Sequence, residues 1–243
     1  MPRLLLGSGG LSTDARKKAW KAELADFLGP VRSFLFVPYA MQDHDRYAEN
    51  MVNLGFHAGR ELRSLHREAD PAAAVAAAEA FYVGGGNTFR LLDAIERLGV
   101  LSAIRARVLA GTKYVGISAG TNLACPTIRT TNDMPIVWPT SADALGLVPF
   151  QVNPHYVAGA LYTREIAWHV RYGGETRDDR LREFHEENDV PILALREGSI
   201  LRVEGAVATI RGASGARLFR KGQATTDLEV GADVSTLLAP TRL

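Results

Sequence analysis

KYVGISAGTNLAC, residues 113–125, is the stretch on which the fold reading turns. Lys113–Val115 read as a strand, and the residues after Ser118 read as a helix. Between them stands Gly116-Ile117-Ser118-Ala119-Gly120, a G-x-S-x-G turn. A strand that turns sharply into a helix needs small neighbours, because its backbone crowds the adjacent chain. Such a turn lifts the serine Oγ to the mouth of a sheet. The helix that follows offers N–H groups and positive potential to an oxyanion. A glycine-rich turn with a capping serine is the plainer alternative, and the strand–turn–helix setting favours a nucleophile.

Outward from this stretch, strands and helices alternate. RLLL at 3–6 is a short apolar run that ends in Gly-Ser-Gly-Gly, a buried strand followed by a tight loop. Residues 13–28 carry a helical period with Ser12 or Thr13 as cap. SFLFVPY at 33–39 reads as a second buried strand. A helix over 44–57, a short strand over 60–65 and a proline-started helix over 71–80 follow. AFYV then runs into Gly84-Gly85-Gly86, and a helical stretch over 88–110 breaks near Gly99. This order predicts an α/β fold with a doubly wound, mostly parallel sheet. Residues 190–230 alternate and carry turn glycines, so they are expected to finish the sheet as C-terminal β-hairpins. No repeat or low-complexity linker divides the chain, and one domain over residues 1–243 is expected.

Composition narrows the function classes. Of 243 residues, 47% are hydrophobic and 23% charged, with a formal net charge of +1. That balance gives no basic surface excess for nucleic acid. No run approaches the ~20 apolar residues that span a membrane. The one cysteine, Cys125, forms no internal disulfide, which fits a reducing, cytoplasmic location. Cys125, expected on the helix after Ser118, reads as a small buried hydrophobe. No His/Cys/Asp/Glu cluster has metal-ligand spacing, so a metal-free site is expected.

A serine at neutral pH needs a base. Among six histidines, His155 sits in QVNPHY after the apolar run GLVPF. A rigid Asn-Pro-His loop at a strand end lies where open α/β sheets place their sites. His44, His57, His66, His169 and His185 lie in polar stretches and read as surface residues. A histidine base needs a third group to fix its orientation. Asp133 in TTNDMPI and Glu197 in LREGS both qualify, and the sequence leaves the choice open. The loop Gly84–Gly86 brings backbone N–H groups close to a ligand. Neither GSGGLS nor GGGNTF completes a dinucleotide or phosphate-loop pattern.

GISAGTNLACPTIRTTNDMPI at 116–136 resembles the nucleophile segment of the peptidase E family, peptidase family S51. The resemblance extends to LLLGSGG at 4–10, YVGGGNTFRLL at 82–92, VNPHY at 152–156, GETRDDRLREF at 174–184 and LREGS at 195–199. It implies a flavodoxin-like or class I glutamine amidotransferase-like sheet, no cofactor, and hydrolysis of dipeptides with an N-terminal aspartate. By the same resemblance the catalytic serine falls on Ser118 and the histidine on His155. The implicated acids fall on Asp133 and Glu197, and an oxyanion donor on Gly85; the N–H of Ala119, at the start of the helix after Ser118, is the second donor expected from the turn itself. Asn87 and Arg177 match positions suited to a substrate carboxylate, which an arginine fork binds at two points. The expected partner is a small peptide, acted on by a monomer or homodimer. AGALYTREIAWHVRYG at 158–173 is longer than the resemblance leads one to expect, and is expected to line the pocket.

The resemblance also admits a related serine aminopeptidase or cyanophycinase-like peptidase of broader specificity, and two further rivals stand beside this reading. An α/β-hydrolase esterase uses the order Ser…Asp…His, which Ser118, Asp133 and His155 satisfy, although fifteen residues between the first two leave little room for that fold. A ligand-binding module on the same sheet is the other.

Overall fold

The computed structural model describes residues 2–158, 162–165, 168–171 and 175–239. The chain runs β1 (Arg3–Gly7), α1 (Asp14–Leu28), β2 (Ser33–Val37), α2 (His44–Asn53), β3 (Glu61–Ser64), α3 (Pro71–Ala77) and β4 (Ala80–Val83). It continues through α4 (Thr88–Arg97), α5 (Leu101–Leu109), β5 (Lys113–Ile117), α6 (Ala119–Leu123), β6 (Gln151–Tyr156), β7 (Tyr162–Glu165) and β8 (Trp168–Arg171). It closes with α7 (Arg177–Glu187), β9 (Ile192–Arg196), β10 (Ser199–Glu204), β11 (Val207–Gly212), β12 (Ala216–Phe219) and β13 (Thr226–Leu228).

The main sheet has the order β11-β10-β1-β5-β4-β2-β3. Its five strands from β1 to β3 are parallel, and β10 and β11 extend it antiparallel beyond β1. A parallel sheet with helices on both faces buries its strands completely. β4 accordingly has all four residues buried. One apolar cluster includes Trp20, Phe27 and Phe36, on the side of α1 and α2. A larger one includes Leu91, Ile104 and Leu123, and reaches Val152 of β6 and Leu195 of β9. The helices begin where side chains satisfy their free N–H groups. Thr13, Asp43, Asp70 and Asn87 each accept a backbone N–H of the first turn.

The mostly parallel α/β sheet is as the sequence predicts; several details differ. Of the C-terminal strands, only β10 and β11 join the main sheet. β9, β12 and β13 join β6 in a separate four-stranded sheet of order β13-β12-β9-β6. The periodicity of 190–230 reports strands but not which sheet receives them. QVNPHY is itself a strand rather than a loop, with an irregular register between Asn153 and Tyr156 where it pairs with β9. The helix expected over 71–80 stops at Ala77, because Ala80 begins β4. α6 ends at Leu123, so Cys125 lies beyond the helix, still fully buried. His185 is buried and bonds the Val190 carbonyl rather than lying at the surface. α7 falls in a segment with no apolar stripe to announce it. β7 and β8 pair as an antiparallel hairpin. The expectation that 158–173 lines the pocket lies outside the described side chains. No helix among the described residues is long and apolar enough to cross a membrane.

Candidate active site

Three loops meet at the carboxyl ends of β1, β4 and β5. Ser118 follows β5 directly, with φ 54° and ψ −110°. A non-glycine residue held in such a region costs on the order of 1–3 kcal/mol, and persists only where its surroundings fix it. Here the Ser118 N–H donates to the Gly7 carbonyl at 3.0 Å. The Thr121 hydroxyl bonds the Gly7 and Gly116 carbonyls at 2.8 and 3.1 Å. The glycines of the motif answer to close packing. A Cβ on Gly116 would stand 2.5 Å from the Gly120 carbonyl oxygen, and one on Gly120 would stand 2.2 Å from that of Val83.

His155 reaches Ser118 from the irregular end of β6. Its own φ is 57°, and its N–H donates to the Ser8 hydroxyl at 2.9 Å. Ser8 is fully buried and donates in turn to the Leu195 carbonyl at 3.0 Å. One serine thus fastens β6 and β9 to the loop after β1. His155 Nε2 lies 2.8 Å from Ser118 Oγ, and His155 Nδ1 lies 2.8 Å from Glu197 Oε1. An ionised carboxylate only accepts, so the ring proton belongs on Nδ1 and leaves Nε2 to accept the serine proton. Glu197 stands in the turn between β9 and β10. Its neighbour Arg196 is held by Asp227 and by the Ala216 carbonyl. Gly9 and Gly10 make room for the pair: a Cβ on Gly9 would stand 2.4 Å from His155 Cε1, and one on Gly10 would stand 1.8 Å from Glu197 Oε2.

Asp133, the other candidate acid, bonds elsewhere. Its Oδ2 accepts from the Thr88 N–H at 2.8 Å, the Thr88 hydroxyl at 2.6 Å and the Thr131 hydroxyl at 3.0 Å. It therefore serves as an anion at the N-terminus of α4, a favourable place for negative charge. The position on His155 Nδ1 that it was expected to contest is taken by Glu197. Asn87 is also committed. Its Oδ1 caps α4 through the Arg90 N–H at 3.0 Å, and its Nδ2 donates to the Met134 carbonyl at 2.8 Å. This leaves one amide hydrogen for any ligand, fewer contacts than expected.

Gly85 packs against the nucleophile: its Cβ position lies 3.1 Å from Ser118 Cβ and 3.6 Å from Oγ. Its N–H faces the hydroxyl of Tyr47, whose phenol burial pushes up to about 12. Ala119 opens α6, so its N–H has no carbonyl within the helix to bond. Arg177 is the first residue of α7, placed by a capping box between Thr176 and Asp179. It is half-buried, and its Nη1 donates to Asn132 Oδ1 at 2.5 Å. Burial pulls the guanidinium below its ordinary pKa, Arg180 adds to this, and the Asp133 charge opposes it. Among the described residues no group of three His, Cys, Asp or Glu is arranged to hold a metal ion.

Ser8, Gly9, Gly10, Tyr47 and Asn132 escaped the sequence reading. The Gly-Ser-Gly-Gly loop carried a usable signal, since four small residues in a row at the end of a central strand mark a place where other side chains approach.

The chain is 51% identical to peptidase E of Streptomyces coelicolor over 215 residues, covering 87% of this chain and 84% of that one. It is 42% identical to a probable alpha-aspartyl dipeptidase of Drosophila melanogaster over 241 residues, covering 97% and 96%. Two solved structures share the fold. One is a putative peptidase E protein from Listeria monocytogenes, with TM-score 0.64, 22% identity, and coverage of 88% of this chain and 100% of that one. The other is a peptidase from an acI-B1 actinobacterium, with TM-score 0.66, 17% identity, and coverage of 96% of each. The family model of peptidase family S51 matches residues 3–211, a span that holds Ser118, His155 and Glu197, and the chain belongs to that family.

Proposed function

We propose that this protein is a serine dipeptidase that hydrolyses dipeptides bearing an N-terminal aspartate, through an acyl-enzyme on Ser118. The observation that carries the reading is the unbroken chain from Ser118 Oγ to His155 to Glu197, 2.8 Å at each link. His155 takes the Ser118 proton as Oγ attacks the scissile carbonyl. Glu197 holds the imidazole tautomer and offsets the charge that His155 gains. The N–H of Ala119 at the head of α6 donates to the developing oxyanion, joined by that of Gly85 once it leaves the Tyr47 hydroxyl. His155 then protonates the leaving amine, and water attacks the acyl-enzyme by the reverse route. Arg177, a half-buried cation at a helix N-terminus, grips the aspartyl side-chain carboxylate. Membership of the S51 family and the names of the similar proteins support the substrate class. We place the enzyme in the cytoplasm, acting on free dipeptides; the single cysteine supports this.

The esterase alternative loses its footing. Its order puts the acid before the histidine, whereas the acid on His155 is Glu197, which comes after it. The test is hydrolysis of X-Leu dipeptides with X varied over Asp, Glu, Asn, Ala and Leu, by wild type and by Ser118→Ala. Loss of a triad member costs about 10⁴–10⁶ in kcat. We expect Asp-Leu to be the best substrate and Ser118→Ala to be inert toward all five. Undiminished Asp-Leu turnover by Ser118→Ala would overturn the assignment.

A further inference from the structure

One side chain connects the carboxylate grip, Arg177, to the strand that carries His155. Asn132 Oδ1 accepts from Arg177 Nη1 at 2.5 Å and from Asn153 Nδ2 at 3.0 Å. Asn132 Nδ2 donates to the Pro154 carbonyl at 2.9 Å, one residue before His155. Asn153 is fully buried and is itself anchored by a 2.7 Å bond to the Thr130 carbonyl. Asn132 thus joins the head of α7 to β6 through three hydrogen bonds, all made by one amide.

The chemistry of that amide matters. An asparagine accepts from a guanidinium without carrying charge. It fixes one arm of the Arg177 fork and leaves the cation's charge and its other N–H donors for an incoming anion. A carboxylate in the same place would pair with Arg177 and cancel the attraction that a second carboxylate needs. The adjacent Asp133 makes no salt bridge with Arg177: its Oδ2 is held by Thr88 and Thr131 at the head of α4, and its charge reaches the guanidinium only from a distance. Among the described residues Arg177 has no ion pair.

We infer that Asn132 is the positioning residue for acidic-substrate selectivity, holding Arg177 as a cation without a salt-bridge partner at a fixed place relative to His155. The inference rests on Arg177 as the carboxylate grip, and deepens the proposed function.

The test uses Asn132→Asp, close in shape but charged, and Asn132→Ala. Two readouts are taken. The first is the ratio of kcat/KM for Asp-Leu over Asn-Leu, two substrates that differ mainly in charge; taken within each variant, the ratio is independent of how much protein folds. The second is the ratio of Kd values for L-aspartate and L-asparagine by calorimetry, which does not require turnover. We expect Asn132→Asp to cut both ratios at least tenfold, with the turnover loss lying in KM for Asp-Leu. Asn132→Ala, which frees Arg177 without neutralising it, is expected to keep more selectivity than Asn132→Asp. A purely structural role would lower activity on both dipeptides equally and leave the ratios unchanged; that result, or wild type showing no preference for aspartate, overturns the inference. Aspartate bound selectively with no dipeptide cleaved would sink the peptidase reading and leave the Asn132 result to stand on the binding ratio.

Discussion

Gly10→Ala is the substitution through which the acid of the triad is best probed without touching it. Gly10 has φ +67°, and an added Cβ would stand 1.8 Å from Glu197 Oε2, 2.5 Å from Cδ and 2.9 Å from Cβ. The whole Glu197 side chain has to move, and the 2.8 Å bond to His155 Nδ1 goes with it. Loss of the orienting acid in a serine triad lowers kcat by about 10⁴, which corresponds to about 5 kcal/mol of barrier. The left-handed backbone adds about 1–2 kcal/mol of lost stability for a residue with a Cβ. Gly59→Ala isolates that second effect, since Gly59 has φ +75° and open space around its Cβ position. The assay is kcat for Asp-Leu beside thermal unfolding, for wild type and both variants. Both variants should lose a similar amount of stability, while only Gly10→Ala loses turnover by orders of magnitude. Gly10→Ala with more than a tenth of wild-type kcat would refute the reasoning.

Three further outcomes follow from packing and charge. Gly120→Ala drives a methyl into the Val83 carbonyl, a backbone atom 2.2 Å away that cannot swing aside, which puts the overpacking cost at the upper end of its usual range, about 3 kcal/mol. Tm should fall by roughly 6–12 °C, and an unchanged Tm would contradict the close approach of α6 to β4. Burial pushes the Cys125 thiol up to about 12, so it should stay silent toward an aromatic disulfide reagent at pH 8 until urea unfolds the chain; equal rates before and after unfolding would contradict this. Arg217, and after it Arg196, hold the Asp227 carboxyl down to about 2. The folded value lies below the unfolded one near 4. The stability this contributes is therefore present above pH 4 and is lost as pH falls through 2. Because Asp227 is nearly half exposed, the effect is modest. The urea midpoint of Asp227→Asn should fall less between pH 5 and pH 2 than that of wild type, and parallel curves would count against the ion-pair cluster.

Much of the architecture was legible because each local signal answers to a local cause. Buried parallel strands such as AFYV read as unbroken apolar runs, and Thr13 announces a helix start by capping it. G-x-S-x-G located Ser118 because the turn physically requires Gly116 and Gly120. What stayed hidden was long-range. Nothing within LREGS distinguishes a glutamate in solvent from one reaching His155, 42 residues earlier in the chain. Nothing within TTNDMPI says that Asp133 spends its charge on α4 instead. Ser8 and Gly10 read as turn residues because their reasons for being small lie on β6 and in the β9–β10 turn. The same gap explains β6, taken as a loop from its proline although it pairs with β9.

The central claim is that Ser118 is a nucleophile made reactive by His155 and Glu197. It is met most directly by mapping the adduct, and timing its formation, with an aspartate-like diphenyl phosphonate on wild type, His155→Ala and Glu197→Gln. The account predicts one adduct per chain at Ser118, formed on the order of 10³–10⁴ times more slowly in Glu197→Gln and not detectably in His155→Ala. An adduct on another residue, or Ser118 modified at the wild-type rate in either variant, would contradict it.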